Sequence, residues 1–231
     1  KKQCLEAWKT MSKLVASIKE AIEKCELRDG MTISFHHHMR NGDYVLNMVL
    51  DEIAKMGIKN LTVNASSIFD VHEPIIGHIK NGVVTGIECN YMGAKVGKAI
   101  SEGIMDKPVV FRSHGGRASD MEKGTSVIDV AFIAAPTADD MGNCTGKIGP
   151  SACGSIGYAF ADAMNAKKVV VVTDNLVAYP LVGFSIPEVY VDYVVKVDQI
   201  GNPAGIVSGT TKITRDPVGL KMASYAAKVI E

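Results

Sequence analysis

The sequence predicts an α/β protein built on a largely parallel sheet with helices on both faces. Two observations carry this prediction. Compact β-branched runs recur along the chain, the mark of strands buried on both sides. Helical stretches separate them, as the crossover connections of a parallel sheet require.

The chain is expected to open with a helical lead-in over about residues 1–29. There Leu5, Trp8, Met11, Val15, Ile18 and Ile22 recur at steps of three and four, one face of a helix over 4–22. Strands are expected at 32–35, 61–63, 83–87, 109–111, 127–133, 169–172 and 193–197. Helices are expected at 44–55, 94–101, 151–166 and 219–230, with glycine near several ends. No repeat, low-complexity tract or linker divides the 231 residues, so one domain is expected over 1–231.

Composition excludes several classes. Hydrophobic residues make up 47% and charged residues 22%, enough to bury a sizeable core and too apolar for a disordered chain. Lysine plus arginine total 25 and aspartate plus glutamate total 25, so no net field draws the chain onto nucleic acid or an anionic membrane. Any anion must be held by local groups. The apolar runs fall far short of the roughly 20 residues of a bilayer helix. Five cysteines with no close pairs resemble neither a disulfide framework nor a zinc site, so a reducing, cytoplasmic compartment is expected. The charged, amphipathic start is unlike a signal peptide, and the missing initiator methionine points to a trimmed or partial chain.

In open parallel sheets, ligands sit beyond the carboxyl ends of the strands, so the residues following each strand are read for chemistry. The first strand runs into His36, His37, His38, Met39, Arg40, Asn41, Gly42 and Asp43, with Asp43 placed to cap the next helix. Imidazoles, a guanidinium and an amide in one turn offer donors for several carboxylate oxygens, which implies an acidic ligand. A metal site is disfavoured, because consecutive residues on an extended chain point to opposite faces. The fourth strand leads to Arg112, Ser113, His114, Gly115, Gly116 and Arg117, read as a glycine turn with cationic groups. Those arginines either meet a ligand or face water. Gly149, Pro150, Ser151, Ala152, Cys153, Gly154 and Ser155 form a third turn, expected to open a helix; its amides suit a thioester oxygen, or its small residues serve helix packing. Cys153 has no evident base and reads as packing rather than as a nucleophile. Asp139 and Asp140 read as turn formers, and Thr173, Asp174 and Asn175 end another strand.

Taken in order, SFHHHMRNGD, FRSHGGRA, DVAFIAAPTADDMGN, GPSACGS and VVTDNLVAYP resemble the citrate lyase alpha subunit family over nearly the whole chain from about Leu27 onward. Citramalate lyase alpha subunits would look similar. The resemblance implies the fold shared by CoA-transferases, ribose-5-phosphate isomerase and glucosamine-6-phosphate deaminase. It also implies the reaction in which citrate and acetyl-ACP give citryl-ACP and acetate. The carrier thiol would belong to a CoA-derived prosthetic group on a gamma subunit, with acetyl-CoA as its mimic, and a beta subunit would cleave citryl-ACP. This chain would bind no cofactor or metal of its own and would work in a hetero-oligomer.

By that resemblance, His36, His37, His38, Arg40, Asn41, Ser113, His114, Gly115 and Gly116 would bind substrate, and Gly149, Ser151, Ala152, Cys153 and Gly154 the thioester arm. The family is expected to work without a covalent enzyme thioester, so no catalytic nucleophile is nominated. Its second CoA-transferase-like domain is absent after Glu231, which would leave half of the active site missing. Two other functions fit the same scaffold: a sugar-phosphate isomerase or deaminase, and a non-catalytic effector-binding module.

Overall fold

The computed structural model describes residues 12–206 and 214–230. In chain order the elements are β1 (Leu14–Val15), α1 (Ile18–Lys24), β2 (Thr32–Phe35), α2 (Val45–Lys55), β3 (Leu61–Ala65), α3 (Ile75–Lys80), β4 (Val84–Cys89), α4 (Ala94–Ser101), β5 (Val110–Phe111) and α5 (His114–Glu122). They continue with β6 (Val130–Ala134), β7 (Thr137–Asp139), β8 (Cys144–Thr145), α6 (Gly157–Asn165), β9 (Lys168–Thr173), β10 (Leu176–Val177), β11 (Tyr193–Lys196) and α7 (Pro217–Ile230).

Eight strands form one sheet in the order β1-β11-β9-β6-β2-β3-β4-β5, and every neighbouring pair is parallel. This is the predicted architecture. The β-branched runs face cores on both sides: Val130, Phe132 and Ala134 of β6 pack into one apolar cluster, Ala131 and Ile133 into another. That alternation is the two-residue period of a strand covered on both faces. Phe132 is 1% exposed, and burying a side chain of its size contributes about 1.5–3 kcal/mol. A smaller sheet, β10-β7-β8, sits beside the main one, with β7 and β8 antiparallel.

Three expectations need correction. The helix over 4–22 does not run through: Leu14 and Val15 form an edge strand paired with Val194 and Val195. The helix starts only after Ser17, whose hydroxyl accepts from the Glu20 amide at 3.1 Å, while the Glu20 carboxylate accepts from the Ala16 amide at 2.7 Å. The sequence carried that signal in Ser17–Ile18–Lys19–Glu20, a capping-box spacing. The part of the expected helix over 4–11 lies outside the described residues.

The helix expected over 151–166 starts at Gly157, because the amides of Cys153 and Gly154 both turn back to the Gly146 carbonyl. The Ser113–Gly116 segment is no glycine turn. It is the capped start of α5, with the Ser113 hydroxyl accepting from the Gly116 amide at 3.0 Å. Helices α3 and α5 were not expected; the α5 sequence HGGRASDME is too polar to show an apolar stripe. The expected helix over 219–230 lies within α7, which has no buried residue.

The turn after β2 is held by backbone-to-backbone contact. Asp43 bridges Gly201, the Tyr44 amide donates to the Ile200 carbonyl, and the Asn202 amide donates to the Gly42 carbonyl. A Cβ on Gly201 would strike the Gly42 carbonyl oxygen and Met39, and one on Gly42 would strike the Asn202 carbonyl. Only glycine permits this approach. Gly201→Ala is therefore expected to cost about 1–3 kcal/mol of stability, the usual penalty of overpacking, read as a lowered urea midpoint.

Candidate functional site

Because the large sheet is all parallel, the carboxyl ends of its strands share one edge. His36 follows β2, Ser66 follows β3, Asn90 follows β4 and Ser113 follows β5. The structure brings the first two predicted turns together there. The rings of His37 and His114 lie 5.3 Å apart, centroid to centroid, edge to face. Tyr158 of α6 stacks on His114 at 4.4 Å and reaches His37 at 5.7 Å. Its hydroxyl donates to the His114 carbonyl at 2.6 Å. Asn90 donates to the carbonyls of Arg112 and Ser113, fixing the entry to α5.

The three histidines divide between different partners as the chain leaves the strand and enters a turn at His38. His37 faces Ser66, Nδ1 to Oγ at 2.6 Å. His36 and His38 face each other, Nδ1 to Nδ1 at 2.6 Å. Burial pulls all three imidazoles down, His36 to about 3, His37 to about 4 and His38 to about 2. Neighbouring histidines act in the same direction, as do Arg117 on His36 and His37 and Arg40 on His37 and His38. At neutral pH they are uncharged donors and acceptors.

Arg40 is half-buried in a left-handed conformation (φ 51), a backbone cost for a residue with a side chain, and Asn41 beside it is exposed. Asp43 accepts from the Val45 amide at 2.8 Å and lies 3.3 Å from His72, both side chains buried.

Beneath these groups lies a buried polar network. Arg117 forks onto both carboxylate oxygens of Asp162, at 2.6 and 3.0 Å, and its Nε donates to Asn64 at 2.6 Å. Burial pulls the Arg117 pKa down, but the Asp162 charge and hydrogen bonds outweigh it and hold the group above its usual value. Arg112 pairs with Glu88 and Asp120 at 2.7 Å each. Both arginines are engaged by carboxylates, Arg117 fully buried and Arg112 largely so, which goes against the reading of them as free, water-facing groups. They brace the site from behind.

The third turn lies along the same edge. Ser151 donates to Asp174 at 2.9 Å, and Cys153 feels the Asp43 charge. Burial, then Asp43, pushes the Cys153 thiol up to about 11, so it carries no thiolate at neutral pH. The amides of Ala152, Cys153 and Gly154 are engaged within the loop. Gly149 has φ 108 and backs onto the Pro136 carbonyl, which fixes glycine there. Ala152 and Gly154 are exposed, and nothing lies within 4 Å of a Cβ placed on Gly154, so a slender chain has room to pass.

Asp139 is a turn former, accepting from the amides of Met141, Gly142 and Asn143. A cavity of about 460 Å³ lined by Asn60, Lys80, Thr85 and Lys107 lies at the opposite ends of the strands and holds none of the site groups. Among the described residues no cluster of three or more His, Cys, Asp or Glu could hold a metal, and no helix is long and apolar enough to cross a membrane.

Sequence reasoning missed Ser66, Asn90, Tyr158 and Asp162. Ser66 and Asn90 follow strands and were open to the strand-end rule. Tyr158 and Asp162 sit inside a helix and gave no such signal.

The parallel sheet with its crossover helices is a CoA-transferase-like α/β fold, with polar turns at its strand ends. Glutaconate coenzyme A-transferase from Acidaminococcus fermentans shares the fold at 17% identity and a TM-score of 0.61, over 84% of this chain and 77% of that one. Residues 11–231 match the family described as citrate lyase, alpha subunit (CitF), and the chain belongs to that family. The citrate lyase alpha chain of Escherichia coli is 47% identical over 218 residues, 94% of this chain and 43% of its own length. The citrate lyase alpha subunit of Streptococcus mutans, solved in complex with citrate, is 59% identical with a TM-score of 0.88, over 95% of this chain and 43% of that one. The chain thus spans less than half the length of these relatives.

Two outcomes follow from the site. The unfolded chain binds protons at His36, His37 and His38 below about pH 6.5, whereas the folded protein resists them. Stability is therefore full above about 6.5 and falls as pH drops through about 4 and 3. In His36→Gln the loss of melting temperature over this window is expected to be smaller than in the unchanged protein. Arg117→Ala strands Asp162 and is expected to cost about 3–5 kcal/mol in urea unfolding, with Arg117→Met/Asp162→Leu recovering most of it.

Proposed function

We propose that the chain supplies the citrate-binding part of a transferase centre exchanging acetate for citrate on an acyl carrier protein: acetyl-ACP and citrate give citryl-ACP and acetate. The observation that carries this reading is the strand-edge cluster of His37, His38, His114 and Arg40 in a member of the citrate lyase alpha subunit family.

A citrate carboxylate must attack the acetyl thioester carbonyl, releasing thiolate and forming a mixed anhydride. The thiolate then attacks the citryl carbonyl and acetate leaves. The protein's task is to hold two anionic partners in line and to stabilise the oxyanions that develop. Arg40 would grip a carboxylate as a fixed charge. His37, His38 and His114 would donate from their rings, with Asn41, Ser113 and the Gly115 amide at the start of α5 completing the cradle, and Gly116, whose amide is held by the Ser113 hydroxyl, shaping it. His36, behind His38, would orient it.

The turn at Gly149, Ser151, Ala152, Cys153 and Gly154 would pass the carrier's thioester arm, for which its small exposed residues leave space. The partners would be a gamma subunit, the acyl carrier protein with its CoA-derived group, and a beta subunit with lyase activity, assembled in the cytoplasm. Citramalate in place of citrate would use the same cradle.

The test is to mix the chain, joined to the rest of a full-length alpha subunit, with acetyl-CoA as carrier mimic and citrate, and to assay citryl-CoA. Formation that requires citrate supports the reading; no citrate-dependent exchange sinks it. Arg40→Ala is expected to weaken citrate binding by about 1.5–3 kcal/mol, the loss of a charge-assisted contact, read by calorimetry. Unchanged affinity would remove Arg40 from the site.

A further inference from the structure

His37 and Ser66 meet Nδ1 to Oγ at 2.6 Å, and either atom could supply the proton. The groups around them decide which. Ser66 is fully buried, and its hydroxyl has no other hydrogen-bond partner among the described residues. Its backbone is held by the strands on either side of β3: the Ser66 amide donates to the Phe35 carbonyl at 3.1 Å, and its carbonyl accepts from the Asn90 amide at 3.3 Å. The hydroxyl therefore stands on a fixed platform, facing one ring nitrogen.

If His37 donated from Nδ1, the buried Ser66 O–H would be left without an acceptor. A buried donor without a partner is rarer and costlier than an oxygen with a spare lone pair. If Ser66 donates, both atoms are used, and the single proton of the neutral imidazole sits on Nε2. That nitrogen is not buried and makes no hydrogen bond among the described residues, which leaves it open to a ligand.

Resting on the anion site proposed above, we infer that Ser66 is a positioning residue: it donates its hydroxyl proton to His37 Nδ1 and so fixes the ring as the tautomer that offers Nε2–H to an acceptor oxygen of the ligand.

The surroundings agree. The charged and titratable groups facing His37 are His114, Arg40, Arg117 and Asp162. Asp162 is the one carboxylate in that set, and the Arg117 fork already occupies both its oxygens. Burial, His114 and the two arginines pull the ring down to about 4, so at neutral pH it carries one proton and the choice of nitrogen is real. A carboxylate or a developing oxyanion can accept from Nε2–H. The same nitrogen cannot serve as a base, because its lone pair is already committed to that proton. His37 is thus a donor by construction.

Nitrogen NMR of the chain carrying isotope-labelled histidine, with the His37 ring assigned through its own backbone, tests this directly. At neutral pH a pyridine-type Nδ1 beside a pyrrole-type Nε2 is expected. In Ser66→Ala the Nδ1 resonance is expected to move as its hydrogen bond is lost, and citrate to bind about three- to tenfold more weakly by calorimetry. A pyrrole-type Nδ1 in the unchanged protein overturns the inference and needs no variant. His37 ring signals that are the same in Ser66→Ala overturn it too, since a merely structural serine would lower the urea midpoint and leave those signals where they were. Citrate that fails to bind the unchanged protein overturns the functional reading, while the spectra still decide the tautomer.

Discussion

Parallel pairing of the large sheet is the constraint on which the rest depends. Eight strands running one way put all their carboxyl ends on one edge. His36, Ser66, Asn90 and Ser113 come from four different strand ends and meet only for this reason. The same pairing forces crossovers that cover both faces, which is why β6, β9 and β11 are apolar on both sides.

Within that frame the electrostatics are divided by depth. The permanent charges of Arg112 and Arg117 are buried or half-buried but matched by Glu88, Asp120 and Asp162. Beside them, the imidazoles of His36, His37 and His38 are held neutral by the cost of burying charge. A matched foundation below and an unmatched, uncharged layer above make a surface ready to receive an anion without carrying a standing positive charge of its own, except at Arg40.

Most of the sheet was legible in the sequence, because fully buried strands require continuous β-branched runs and nothing else in this chain has them. All seven expected strands fall on observed ones. Strands too short to make a run, such as Leu14–Val15 and Cys144–Thr145, were not legible. At the site, the residues directly after strands were readable from position alone. The roles of Arg112 and Arg117 were not, since a guanidinium looks the same in sequence whether it meets a ligand or a buried carboxylate. Family resemblance carried the substrate class, which geometry alone would have left at an acidic ligand.

The contact between the Arg40 turn and the segment at Gly201 has a bearing on how mutational scans of this protein would be interpreted. Gly42, Gly201 and Gly205 carry no side chain and offer nothing to a substrate, yet an added Cβ at any of them runs into the backbone of the opposing strand of chain. A screen scoring activity alone would rank these three beside the histidines, and a map of intolerant positions would draw the active site one layer too wide. Pairing such a screen with an abundance readout would separate the groups that meet the ligand from the glycines that hold their loop in place.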